Sequence, residues 1–479
     1  MSIKRNSVYN LIGSLLPIAV TLFTVPIYLN VIGLERYGFL AIAWMLLGFF
    51  GFFDFGLGRA TARLIANLSL EGPEKRSVAC WTALALNAGL GLVGAFVLWG
   101  VAYWFFSHHF QVEEALRAEI VAAVPWLSLA VPSVTLSSVL SGSLQGREKF
   151  VSLNVAQVLN SVFSQVLPLL AALYLGPSLP LLIVTTMIGR LLYFLVLLWQ
   201  CARFVPLRAF PVVDPGLVPQ LFRYGGWVSA TSIVSPLIVV FDQFVIGGSI
   251  SSRAVAVYSV PFNLANRLTI VPSSLAAALF PRLAAESGET SSRLAHEALL
   301  ALIVVITPSV IAGLILVGPF LRLWLGAGFV DASAVVGQII LIGVWANSLT
   351  SVPFTKLQAR GRPDIVAKCA LAQLVPYMAL VSFAAVKWGV FGVAIVWTIR
   401  VIVDCAIMLA IAGLVRAATK YLFGACFFLF LAGGGVLLDG MVGVGVSCVV
   451  LVASVVWAIS NRPASLANPK QALKSLFSG

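Results

Sequence analysis

The chain has 479 residues, of which 60% are hydrophobic and 10% are charged, and its net charge is +13. A soluble globular protein has about 25% charged residues, so a soluble globular fold is excluded, as are collagen-like, coiled-coil, disordered and disulfide-rich secreted chains. The apolar residues fall in long runs, which predicts an all-α polytopic membrane protein. About fourteen spanning helices of roughly 20 residues would leave only short connections and no room for a soluble catalytic domain.

Apolar runs that end at charged residues, glycine or proline define the predicted spans. In chain order they cover residues 8–32, 39–57, 78–106, 120–144, 151–175, 179–199, 227–248, 255–283, 298–321, 335–354, 365–386, 390–414, 421–438 and 441–459. The first span is too long for a signal peptide and is not followed by a cleavage site of small residues, so it is predicted to be a retained helix.

The distribution of Lys and Arg predicts the orientation of these spans. If the N terminus is cytoplasmic, 22 of the 30 basic residues lie in inner segments, 5 lie in outer segments, and the remaining three lie inside spans. Cytoplasmic loops of membrane proteins are enriched in Lys and Arg. Both termini, including a tail at 461–479, are therefore predicted to be cytoplasmic.

The sequence also contains a weak internal repeat. Val-Ile-Gly closes the first predicted span at 31–33 and the seventh at 245–247, and Leu-Gln follows the fourth span at 144–145 and the tenth at 357–358. The displacement is about 214 residues in both cases, which corresponds to six spans. An even number of spans gives two halves with the same orientation, an arrangement typical of transporters. The predicted regions are a six-helix lobe at 1–200, a second at 221–415, and two extra spans at 416–460.

Several short motifs between residues 1 and 460 carry a resemblance to a known family. They are Asn10 and Gly13, Pro26, the GLERYG segment at 33–38, the DFGL segment at 54–57 with Arg63, the QGREKF segment at 145–150, Asp242 with Ile246 and Gly247, and the LWLG segment at 323–326. Together they resemble the polysaccharide transporter branch of the multidrug/oligosaccharidyl-lipid/polysaccharide exporter superfamily, which includes the Wzx-type O-antigen flippases.

This resemblance implies a fold and a function. The expected fold has two six-helix lobes in a V around a central cavity. The expected activity is translocation of an undecaprenyl-pyrophosphate-linked oligosaccharide from the cytoplasmic to the periplasmic leaflet of a bacterial inner membrane. No cofactor is expected, although H+ or Na+ coupling fits. The expected partners are the lipid-linked oligosaccharide, the bilayer, a polysaccharide polymerase and a chain-length regulator, without nucleic acid.

Arg267 is the strongest candidate for substrate binding. It lies near the middle of the eighth predicted span, one turn after Asn263, between Pro261 and Pro272. A charged residue at this depth costs on the order of 3 kcal/mol, so it is retained only beside a partner or a water-filled cavity. A guanidinium suits a pyrophosphate as a planar donor of several hydrogen bonds. The alternative is a purely structural ion pair between Arg267 and Asp242.

Two other arginines lie inside predicted spans. Arg190 lies about halfway along the sixth span, where it either lines the cavity or extends towards the headgroups. Arg400 and Asp404 are four residues apart in the twelfth span, so they either neutralise each other on one helix face or contact substrate and ions.

Two aspartates are candidates for coupling or gating. Asp54 lies in the inner third of the second span, before Arg59 and Arg63, and is either an ion-coupling residue or part of a charge cluster that closes the cytoplasmic mouth. Asp242, in the outer part of the seventh span, is the better candidate for proton or cation coupling because no basic residue of its own helix lies within a turn.

The residues leave three functions open: a flippase of a lipid-linked oligosaccharide, a flippase of the peptidoglycan precursor lipid II, and a cation-coupled multidrug exporter. The number of Arg residues inside predicted spans equals the number of Asp residues, so their net charge does not favour one of these three functions over the others. A GxGxxG pattern at 89–94 lies within an apolar helix and predicts close helix packing rather than nucleotide binding. The short outer connection at 107–119 argues against a polymerase or ligase, so an enzyme is not expected.

Overall fold

The computed structural model describes residues 3–49, 53–68, 72–205, 207, 212–219, 221, 234–286, 288–438 and 440–463. Apart from short 3-10 turns, its elements are α1 (Ile3–Phe49), α2 (Leu57–Asn67), α3 (Pro73–His108), α4 (Glu114–Ser128), α5 (Ala130–Gly146), α6 (Phe150–Tyr174), α7 (Leu179–Phe204), α8 (Val234–Ser249), α9 (Ser252–Asn266), α10 (Ile270–Ala285), α11 (Gly288–Leu325), α12 (Ala327–Ala359), α13 (Pro363–Ile411), α14 (Val415–Leu437) and α15 (Gly440–Ser460).

Within these described ranges, ten helical segments are long and apolar enough to cross a membrane. The predicted all-helical, multi-pass membrane fold is therefore confirmed. The number of spans stays a prediction, since one helical segment can contain two predicted spans. The beginning of the seventh predicted span at 227–233 and the tail at 464–479 lie outside the described residues.

Two long helices bend at a glycine, and each bend separates two predicted spans. The bend in α1 lies at Gly33, with φ 79° and ψ 167°. The bend in α13 lies at Gly389, with φ 60° and ψ −146°. Glycine adopts positive φ at little cost because it has no Cβ atom. These two residues therefore allow the chain to change direction between neighbouring apolar runs.

The first compact unit covers Met1–Ala256. Within it, α2 packs closely on α5 because small residues line the contact. A Cβ atom added to Gly142 would clash with the backbone carbonyl of Gly58, and one added to Gly146 would clash with that of Ala62. Small residues at a spacing of four allow helices in a membrane to approach closely. This contact borders a buried core that α3 and α7 share.

The second compact unit covers Val257–Gly479. The indole nitrogen of Trp345 in α12 donates a hydrogen bond to the hydroxyl of Thr307 in α11 at 3.0 Å. The buried ammonium of Lys356 donates a hydrogen bond to the carbonyl of Ala412 at 2.9 Å. A cation is stabilised at this C-terminal end of α13, because the helix dipole is negative there. The last two helices, α14 and α15, pack against α11. The predicted lobes at 1–200 and 221–415 stay predictions.

Candidate functional site

The helix that contains Arg267 is interrupted at this residue. α9 ends at Asn266, a single 3-10 turn covers Arg267–Thr269, and α10 begins at Ile270. The interruption lies between the two prolines noted in the sequence, which lack the N–H group that a continuous helix needs. The hydroxyl of Thr269 donates to the carbonyl of Asn266 at 2.6 Å, which satisfies one acceptor near the break.

Arg267 and Asn263 are both exposed, and they lie on either side of the end of α9. A guanidinium exposed in the middle of a membrane-spanning segment needs water or an anion rather than hydrocarbon. This placement fits a cavity-lining role. Asp242 is buried in α8, with 1% of its surface exposed. The predicted role of Arg267 and its alternative pairing with Asp242 stay predictions.

Arg190 lies on α7, half-buried, beside Tyr193. The hydroxyl of Tyr193 is 3.4 Å from that of Ser141 on α5. Within the part of the chain that the structure describes, the buried Nε of Arg190 has no hydrogen-bond partner. An unsatisfied buried donor is costly, so this nitrogen is available to an anionic or hydroxyl-bearing ligand.

Within the described residues, Arg400 and Asp404 contact other side chains rather than each other. Asp404 instead accepts a hydrogen bond from the side-chain nitrogen of Gln373 at 2.7 Å. The guanidinium of Arg400 lies over the ring of Tyr377, 5.1 Å from its centroid. Both partners lie before the bend of α13 at Gly389, and both charged residues lie after it. The bend thus supplies partners that the spacing of four residues could not reveal.

Asp54 acts as a cap for the helix that follows it. Its carboxylate accepts hydrogen bonds from the backbone N–H of Gly58, at 3.0 Å, and from the hydroxyl of Ser138 on α5. Phe55 and Gly56 have positive φ values of 49° and 68°, which turn the chain so that Asp54 reaches the first turn of α2. A carboxylate at the start of a helix accepts hydrogen bonds from N–H groups that have no partner within the helix. Its negative charge also interacts favourably with the positive end of the helix dipole. Arg63, further along α2, is exposed.

The GLERYG segment at 33–38 forms a rigid corner of the first unit. After the bend at Gly33, Arg36 pairs with Glu119 of α4, with its Nε 3.1 Å from the carboxylate. Glu119 also accepts a hydrogen bond from the backbone N–H of Leu179, at 3.3 Å, at the start of α7. This pairing joins the corner to α4 and α7 near the predicted outer surface.

A second contact in the first unit joins two predicted outer segments, and we call it the outer clasp (residues 105–111 with 244–252). The N–H of Gln111 donates to the carbonyl of Gly247 at 2.9 Å, and the N–H of Ser252 donates to the carbonyl of Gln111 at 3.3 Å. The rings of Phe105 and Phe244 lie 5.0 Å apart. The outer clasp joins a segment of the first predicted repeat to a segment of the second.

Within the described residues, no three His, Cys, Asp or Glu side chains lie close enough together to hold a metal ion. The candidate residues Arg190, Arg267 and Asn263 carry guanidinium and amide groups, which bind phosphates and sugars through hydrogen bonds.

Comparison with known proteins supports this interpretation. Residues 3–287 match the family described as "Polysaccharide biosynthesis protein". A Shigella flexneri protein named "Putative O-antigen transporter" is 29% identical over 413 residues, which cover 85% of this chain and 97% of that protein. The match to the family covers more than half of the chain.

Solved structures show the same fold at low sequence identity. The inward closed conformation of the lipid II flippase MurJ aligns with a TM-score of 0.71 at 13% identity, and covers 98% of this chain and 99% of that chain. An inward-facing multidrug resistance MATE transporter of the MOP superfamily aligns with a TM-score of 0.69 at 16% identity, and covers 88% and 95%. The chain thus belongs to the polysaccharide biosynthesis protein family, and it shares its fold with transporters of the MOP superfamily.

Proposed function

We propose that the chain is a flippase that moves an undecaprenyl-pyrophosphate-linked oligosaccharide from the cytoplasmic to the periplasmic leaflet, for the synthesis of O-antigen, capsule or exopolysaccharide. Membership of a polysaccharide biosynthesis family supports this proposal. The structural observation that carries it is Arg267, an exposed arginine at a helix break in the middle of a membrane-spanning segment.

The substrate's charge is the physical reason for this assignment. A lipid-linked pyrophosphate brings negative charge into a region where the bilayer offers no compensation. A guanidinium presents several donors in one plane and binds such an anion through paired hydrogen bonds. Asn263, one turn earlier, adds an uncharged amide. The free-energy cost of placing the charged Arg267 at this depth is offset only when substrate or water contacts its guanidinium.

We infer a transport cycle in which access alternates between the two sides of the membrane. In this cycle the outer clasp holds the outer side closed while the substrate enters from the cytoplasmic side. Opening of the outer clasp then releases the oligosaccharide to the periplasm. Asp242 lies in α8, the helix that leads into the outer clasp, and its burial suits a carboxylate that binds H+ or Na+ during the cycle.

Deletion of the gene tests the proposed function. We expect lipid-linked oligosaccharide to accumulate in the inner leaflet and surface polysaccharide to disappear, while cell-wall growth continues, because the flippase serves one pathway. Lipid extraction and mass spectrometry measure the accumulated species, and a plasmid copy of the gene is the control. Cell lysis with accumulated peptidoglycan precursor would contradict the proposal and support a lipid II flippase instead.

A further inference from the structure

One helix of the first unit carries an unusual number of polar side chains on one face. We call this set the amide face of α6, and it consists of Asn154, Gln157, Asn160, Ser161, Ser164 and Gln165. Their spacings of three, three, one, three and one residues place them on one side of a helix with 3.6 residues per turn. The rest of α6 is almost entirely apolar.

The opposite side of α6 has the character of a lipid-facing surface. Val155, Leu170 and Leu173 lie there, with 51%, 42% and 48% of their surface exposed. The amide face is also partly accessible, since Gln157 is exposed and the other five residues are half-buried. Amides in contact with hydrocarbon would lose hydrogen bonds to water. The amide face therefore borders an aqueous space rather than lipid.

Contacts on both flanks fix the orientation of the amide face. The side-chain oxygen of Gln165 accepts a hydrogen bond from the hydroxyl of Thr24 in α1 at 3.1 Å. On the other flank, Phe163 lies against Gly189 of α7, where an added Cβ atom would lie only 3.0 Å from the Phe163 carbonyl oxygen. The amide face lies between these contacts with α1 and α7. Its orientation is therefore set by contacts with neighbouring helices rather than by the conformation of a loop.

Arg190 lies close to α6, because the preceding residue, Gly189, packs against the backbone of Phe163. Asn160 and Gln373 are 213 residues apart, and Arg190 and Asp404 are 214 residues apart, which is the displacement of the repeat. In the second unit, the amide of Gln373 contacts Asp404 directly. Asn160 and Arg190 occupy the equivalent positions in the first unit. At this position of the repeat, the first unit has the positively charged Arg190 and the second has the negatively charged Asp404. Asp404 has a protein partner, Gln373.

We propose that the amide face of α6 binds the sugar portion of the lipid-linked oligosaccharide while Arg190 binds its phosphate. This inference rests on the proposed function and adds the surface that recognises the sugar. Amide groups donate and accept hydrogen bonds at once, which matches sugar hydroxyls, and they carry no charge that would compete for the phosphate. Gln157 and Asn160 are the residues that distinguish one oligosaccharide from another.

A binding experiment with two probes tests the amide face. The purified protein in nanodiscs is titrated with lipid-linked oligosaccharide extracted from the deletion strain, and separately with undecaprenyl pyrophosphate, which has no sugar. We expect Gln157→Leu and Asn160→Leu to weaken binding of the oligosaccharide probe about tenfold and to leave binding of undecaprenyl pyrophosphate within twofold. Arg190→Ala is expected to weaken binding of both probes. Val155→Leu, on the lipid-facing side of the same helix, is the matched control.

The outcomes separate this inference from the proposed function. If the wild-type protein binds neither probe, the proposed function is wrong, and the inference fails with it. If the wild-type protein binds the oligosaccharide probe and both leucine variants bind it equally well, only the inference fails. Equal weakening of both probes by the leucine variants would also overturn it, because the amides would then serve the phosphate or the fold. Size-exclusion profiles and circular dichroism confirm that each variant is folded.

Discussion

Replacement of Arg267 by Ala is expected to abolish export of the lipid-linked oligosaccharide while protein level and folding stay close to wild type. A hydrogen bond to a charged group contributes roughly 1.5 to 3 kcal/mol, so loss of the guanidinium should reduce transport at least about tenfold. If the exposed Arg267 binds substrate rather than a protein partner, its removal leaves no buried charge uncompensated. Export is measured as surface polysaccharide in the deletion strain that carries each variant, and protein level is measured by immunoblot.

Companion variants define what Arg267 does. Arg267→Lys should restore export only in part, because an ammonium keeps the charge but loses the planar set of donors. Arg282→Ala, at the exposed far end of α10, is the matched control and should export normally. If Arg267 is instead a structural partner of Asp242, Arg267→Ala should lower expression, and Asp242→Asn should restore it. Normal export by Arg267→Ala would contradict both roles.

A disulfide across the outer clasp is expected to stop transport reversibly. The backbone hydrogen bond from Ser252 to Gln111, at 3.3 Å, places these two residues side by side, and a disulfide joins residues whose Cα atoms lie about 4.4 to 6.8 Å apart. Gln111→Cys combined with Ser252→Cys should therefore crosslink under a mild oxidant and hold the outer side closed. Transport should fall to the level of the deletion strain and return when dithiothreitol is added. Each single cysteine variant should transport normally under oxidant.

A matched pair within the first repeat provides the control. Ser143→Cys places a second thiol beside the native Cys80, whose Sγ lies 3.3 Å from the Ser143 hydroxyl oxygen, and both residues lie in the first predicted repeat. A disulfide there does not join the two repeats, so transport should continue under oxidant. Continued transport by the crosslinked 111–252 pair would show that the outer clasp does not open during the cycle.

Elements that depend on local sequence could be predicted. Long apolar runs predict membrane helices because the hydrocarbon core requires them. The bends at Gly33 and Gly389 lie at the ends of apolar runs, where a glycine is the residue best able to adopt positive φ. The interruption at Arg267 lies between two prolines only eleven residues apart. In each case the determining residues are neighbours in the chain.

Contacts between distant residues could not be predicted in this way. Asp54 binds Ser138 from another helix, and Gln373 reaches Asp404 only because α13 bends between them. The outer clasp is formed largely by backbone groups, which leave no side-chain signature. The capping role of Asp54 could not be predicted either, because Asp54 lies two residues before Gly56, the residue at the N-cap position of α2. The polar spacing in α6 was readable, because it repeats with the helical period.

A flipping assay with the purified protein tests the central claim most directly. Liposomes are prepared with lipid-linked oligosaccharide in both leaflets, with and without the reconstituted protein, and membrane-impermeant periodate is added to oxidise the sugars on the outside. The proposed function predicts that, with the protein present, the inner pool becomes accessible and nearly all of the oligosaccharide is oxidised. Oxidation that stops at the outer half, as in protein-free liposomes, would contradict it.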